Sequence, residues 1–145
     1  MSLAICRLPV KTGTLVRPLL LAFVPILLCG VQPVLADVLN VDDGSYKAEV
    51  EESATPVFID FYATWCGPCK TIAPAVDELS DQYRNTVKFV RVDVDKAPKT
   101  AERYGIEPLP TLVVRSKKVS KGFALSGVQS KEAIKKFIDE SLKKL

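Results

Sequence analysis

At 145 residues the chain is long enough for one domain, and its formal charge is +3. Arg7, Lys11 and Arg17 supply that whole excess, so residues 37–145 hold 17 basic and 17 acidic side chains. A near-neutral domain gives no basis for binding nucleic acid or a membrane surface.

Residues 1–36 read as a secretory signal peptide. They contain no Asp or Glu and three basic residues, with an apolar run from Leu19 to Leu28. The segment ends in Val34-Leu35-Ala36, with short side chains one and three positions before Asp37. Cleavage after Ala36 is the expectation, and a retained anchor or an organelle transit peptide is the alternative. The strongly apolar stretch is about half the roughly 20 residues that a membrane span needs. Leu27-Leu28-Cys29 lacks the small residue that should precede a lipidated Cys. The remaining 109 residues can bury roughly two-thirds of their unfolded surface, so they should fold without covalent staples.

Residues 37–44 read as a short edge strand and a turn. Ser45 is the expected N-cap of a first helix over residues 46–50. Residues 57–62, Val-Phe-Ile-Asp-Phe-Tyr, form an apolar run suited to a strand buried on both faces, interrupted by Asp60. From Cys66 the period turns helical through Ile72, Val76 and Leu79, with Pro74 expected to kink the helix. Residues 86–93 alternate as a second central strand, and a helix near 99–104 stops at Gly105. Residues 111–115 and 119–125 suit two further strands, the second at an edge. A last helix after Ser130 should bury Ile134, Phe137, Ile138 and Leu142. The order β-α-β-α-β-α-β-β-α implies parallel crossovers early and an antiparallel hairpin at the end. The fold class is α/β: a central mixed sheet with helices on both faces.

Cysteine usage points to chemistry. Cys6 and Cys29 fall in the leader, which leaves Cys66 and Cys69 in the domain. A bridge between them closes too short a loop to stabilise a fold much, so the pair is there to react. Its place after a buried strand and at a helix N-terminus matters, because unsatisfied N–H groups and the helix dipole stabilise a thiolate. Cys66 should be exposed and attacking; Cys69, one turn inside, should resolve the mixed disulfide. A zinc site needs four ligands, usually Cys and His. The chain has no His and no third cysteine outside the leader, so no metal is expected. The missing His also removes the usual general base. Asp60 takes that place on physical grounds, since a carboxyl among Phe58, Ile59 and Phe61 is costly to ionise and its pKa should rise. A structural pairing of Asp60 with backbone or with Arg91 is the plainer reading.

Residues 58–70, Phe-Ile-Asp-Phe-Tyr-Ala-Thr-Trp-Cys-Gly-Pro-Cys-Lys, closely resemble the active-site segment of the thioredoxins. Ala73-Pro74, Val92-Asp93-Val94-Asp95, Tyr104-Gly105-Ile106, Pro110-Thr111 and Gly127 match as well, so the resemblance covers all of residues 37–145. It implies a thioredoxin fold and a monomeric thiol–disulfide oxidoreductase without a cofactor. Its partners would be disulfide-containing client proteins and an upstream thiol electron donor.

By the same resemblance Asp60 is the buried acid beneath the second cysteine, and Pro110 is a cis-proline lying against the cysteines. Leu109 would pair its backbone with an extended substrate segment. Trp65, Gly67, Pro68, Gly127 and Val128 would rim a shallow apolar groove. The Gly67-Pro68 dipeptide accompanies low potentials near −270 mV, whereas strongly oxidising relatives sit near −120 mV. Two residues depart from the pattern. Arg91 stands where the family usually has Lys, and a permanent cation near Asp60 would restrain its upward shift. Pro108 replaces a usual Gly, which removes flexibility and an N–H beside the groove. The leader implies export, periplasmic or secreted. The rival readings are a periplasmic heme-maturation reductant, which typically carries a central insertion, and a non-catalytic thioredoxin-fold binding module.

Overall fold

A computed structural model describes residues 38–145. The leader, its exit at Ala36, Cys6 and Cys29 lie outside the described residues. Five strands form one sheet in the order β1-β3-β2-β4-β5. They are β1 (Leu39–Val41), β2 (Val57–Tyr62), β3 (Lys88–Asp93), β4 (Thr111–Ser116) and β5 (Val119–Ser126). β1 and β2 flank β3 in parallel, while β2–β4 and β4–β5 are antiparallel. The sheet is thus mixed, with β1 and β5 at its edges. Among the described residues there are three α-helices: α1 (Gly67–Gln82), α2 (Pro98–Tyr104) and α3 (Lys131–Leu142).

Alternation along β2 splits the core in two. Phe58 turns toward α1 and α3, where it meets Ile72, Val76, Leu79, Leu112, Ile134 and Ile138 and stacks on Phe89 at 4.6 Å. Val57, Ile59 and Phe61 turn to the other face, against Tyr46, Val50, Val90 and Val113. The period of 2 therefore places Asp60 on the α1 face with Phe58, and places Arg91 beside it in register on β3. Burial of both faces of β2 explains why its sequence is a continuous apolar run.

Local signals account for most element ends. Ser130 caps α3, its hydroxyl accepting from the Ala133 N–H at 3.2 Å. Gly105 closes α2 at φ 64°, the left-handed cap that glycine favours. The first helix differs from expectation in kind. Residues Lys47–Glu51 form a single wide π-helical turn, and Ser45 does not cap it. The Ser45 hydroxyl instead bonds the Asp42 carboxylate at 2.7 Å, because Asp42 also gathers the N–H groups of Gly44 and Ser45 into a tight turn. Pro74 sits inside an unbroken α1. In α3, Ile134 and Ile138 are fully buried, whereas Phe137 and Leu142 are half-buried at the rim of the core.

Candidate active site

β2 delivers the chain through Ala63 and a turn to Cys66, the N-cap of α1. Pro68 near the start of α1 suits the geometry, since its missing N–H would have no intrahelical acceptor there. The sulfurs of Cys66 and Cys69 are bonded at 2.07 Å. The Cys69 N–H also points at Cys66 Sγ, 3.1 Å away, so a free helix N–H is aimed at the sulfur that would carry a thiolate.

The expected contrast between an exposed Cys66 and a sheltered Cys69 is absent in this disulfide state. Both residues are 4% exposed. Both cysteines pack at the head of α1 with Ala63, Tyr62, Val94 and Leu109. Solvent meets the residues around them instead. Trp65 is 69% exposed and Val128 54%, and Gly67 and Pro68 are also exposed.

The Leu109–Pro110 peptide bond is cis. Pro110 is buried, and its carbonyl accepts from the Gly127 N–H at 2.8 Å. That bond ties the end of β5, and Val128 beyond it, to the Leu109–Pro110 segment. Gly127 sits at φ 85°, a conformation few other residues adopt. Pro108 is exposed, and its carbonyl accepts from the Thr111 hydroxyl at 2.8 Å.

Asp60 lies below the cysteines at 2% exposure. It lines a cavity of about 310 Å³ together with Cys69, Ala73, Lys70, Asn40 and Arg91. Burial pushes its pKa from 3.8 up to about 6, opposed by the Arg91 guanidinium and aided by the negative charge of Asp77. The restraint by Arg91 is incomplete for a geometric reason. Arg91 Nε is 3.4 Å from Asp60 Oδ2, a long contact, while a terminal nitrogen is held 3.0 Å from Asp77 and 3.2 Å from the Ala73 carbonyl. The guanidinium is shared between two carboxylates, and Asp60 Oδ1 has no hydrogen-bond partner among the described residues.

Two contributors escaped the sequence reading. Asp95 accepts from the Trp65 indole N–H at 2.9 Å and so fixes the exposed ring beside the disulfide. Its only signal was membership of the Val92–Asp95 run. Asp77 gave none, because an exposed helical Asp is ordinary until the fold places it against Arg91. Among the described residues no group of Cys, Asp and Glu could hold a metal ion.

Comparison with known proteins agrees with this geometry. The thioredoxin family model matches residues 37–140. A thioredoxin of Rickettsia prowazekii is 40% identical over 103 residues, which is 71% of this chain and 97% of that protein. A thioredoxin of Synechocystis sp. is 50% identical over 75 residues, 52% of this chain and 70% of that one. An M-type chloroplastic thioredoxin of Chlamydomonas reinhardtii is 44% identical over 81 residues, covering 56% and 58% respectively. With the five-stranded mixed sheet and the Cys66–Cys69 disulfide at the head of α1, these matches make the chain a member of the thioredoxin family and a thiol–disulfide oxidoreductase.

Proposed function

We propose that the protein reduces disulfides in exported client proteins, with Cys66 as nucleophile and Cys69 as resolving thiol. The observation that carries this reading is the cysteine pair at the N-terminus of α1 with a buried carboxyl of raised pKa sharing a cavity with Cys69. In the reduced protein the Cys66 thiolate attacks one sulfur of a client disulfide. A mixed disulfide forms and one client thiolate leaves. Asp60 accepts the Cys69 proton through the shared cavity, and the Cys69 thiolate attacks Cys66 Sγ. The second client thiol is released, and the Cys66–Cys69 disulfide remains. Two electrons from an upstream thiol donor restore the dithiol.

Trp65, Gly67, Pro68, Leu109, Gly127 and Val128 serve as the docking rim for an extended client segment, and Pro110 shapes the wall against the cysteines. Pro108 stiffens that wall and narrows the range of clients. Export rests on residues 1–36 alone, and a membrane-borne relay follows as the donor for a protein outside the cytosol. Mass spectrometry of the native protein should find a chain beginning at Asp37; any other start contradicts the cleavage site. The catalytic reading is tested by insulin reduction with dithiothreitol. The wild type should accelerate precipitation, and Cys66→Ser should return it to the rate of the reagent alone. Absence of acceleration by folded wild-type protein would sink the proposal.

A further inference from the structure

A second, roomy cavity lies away from the cysteines. It measures about 670 Å³ and sits on the sheet face that carries α2, over β4 and β5. α2 and the π-turn cover β2 and β3 on that face, while the adjoining surface of β4–β5 forms an open floor of Thr111, Val113, Arg115, Ala124 and Ser126. An irregularity in β5 shapes the floor. Val114 pairs with Phe123 and Ser116 with Val119, so Ser120, Lys121 and Gly122 all stand opposite the single residue Arg115.

Arg115 is unusual chemistry for this place. Its residue exposure is 6%, yet among the described residues no carboxylate pairs with it. Its partners are neutral: one terminal nitrogen donates to the Tyr46 hydroxyl at 3.2 Å and to the Tyr104 hydroxyl at 3.3 Å. These two hydroxyls are 2.6 Å apart, so one donates to the other. Burial, together with the adjoining Tyr104 hydroxyl, pushes the Tyr46 phenol above its ordinary range, and it keeps its proton.

The cluster therefore has donors in surplus. Once one hydroxyl has donated to the other, the second hydroxyl proton has no acceptor among the described residues, and neither does the buried Arg115 Nε–H. A buried cation without a counter-charge is costly. The rest of the lining does not supply one. Glu51 is bound to Arg103, and Lys121 adds another cation.

We infer that this cavity binds a small organic anion, a carboxylate on an apolar body. The carboxylate accepts from the Arg115 guanidinium and the free tyrosine hydroxyl, and the body lies against Ile106, Pro108, Val113 and Ala124. A planar guanidinium matches carboxylate geometry, which favours this class over a point-like ligand. The inference stands independently of the redox reading, since no cysteine takes part.

The test is a titration of the isotope-labelled full chain with sodium benzoate, and separately with neutral benzamide, followed by amide and arginine Nε–H resonances. Benzoate should shift Arg115 Nε–H and the Gly122 amide saturably, and benzamide should not. Arg115→Met should abolish the response. Ala124→Phe fills the floor from an exposed position and should abolish it without disturbing the core, so the test survives if the arginine variant fails to fold. Both variants should reduce insulin at the wild-type rate. No saturable shift with benzoate, an equal shift with benzamide, or full retention of binding in Ala124→Phe would each overturn the inference.

Discussion

Asp60 holds a proton more tightly in the folded protein than in the unfolded chain, and this gives stability an unusual pH dependence. Raising a carboxyl pKa from 3.8 to about 6 corresponds to on the order of 3 kcal/mol. The folded state binds the extra proton between those values, so Asp60 costs nothing below about pH 4 and its full penalty is present above about pH 6. Urea unfolding across that range should show wild-type stability falling relative to Asp60→Asn, with the gap widest at neutral pH. A gap that does not change with pH would refute the buried-acid account. The neighbours tune the same group in opposite senses. Asp77→Asn removes a raising charge and frees Arg91 to close on Asp60, so the Asp60 pKa should drop below 6. Arg91→Met removes the opposing cation and should raise it. Carboxyl titration by NMR reads both, and equal values in the two variants would contradict the shared guanidinium. The sequence made Asp60 legible because an acid in an apolar run has few explanations. The Arg91–Asp77 contact joins a strand to a helix, and no local pattern announces such pairs. The shelter of Cys66 was equally hidden, because it depends on Tyr62, Val94 and Leu109, which three separate segments bring to the head of α1.

At the scale of elements, hydrophobic period and capping chemistry made nearly every strand and helix readable. The β2 run, the Ile72–Val76–Leu79 face and the Ser130 cap are all local signals. Ser130→Ala should remove the cap on α3 and cost about 1 kcal/mol in thermal or urea unfolding. The exceptions arise where two segments compete or must match. Ser45 lost its expected capping role because Asp42, three residues earlier, captures its hydroxyl and amide. The irregularity in β5 exists only relative to β4, so the surplus of residues opposite Arg115 cannot be seen in either strand alone. Gly122 is its structural requirement, at φ 71°, where an added Cβ would meet the Val114 carbonyl oxygen at 2.5 Å. Gly122→Ala should therefore destabilise the fold by at least about 1–2 kcal/mol. A neutral effect in urea unfolding would mean that the β4–β5 irregularity is easily rearranged.

Across the described residues, a mixed sheet with parallel crossovers first and a hairpin last was anticipated, but its order β1-β3-β2-β4-β5 was not. The order arranges the chemistry. Central β2 ends at the head of α1, so its Asp60 is buried beneath the cysteine turn, while β4 begins at the cis-proline segment on the opposite side of that turn. The Tyr46, Tyr104 and Arg115 cluster draws on three separated elements, which is why no motif revealed it. Both sites hang on one sheet but use opposite faces: Asp60 lies on the α1 face and Arg115 on the α2 face. The central claim is that Cys66 and Cys69 form a reducing pair. Equilibrating the full chain with glutathione buffers and quantifying the Cys66–Cys69 disulfide by mass spectrometry tests it most directly. A reducing pair should poise near −270 mV, and a value above about −180 mV would contradict that direction.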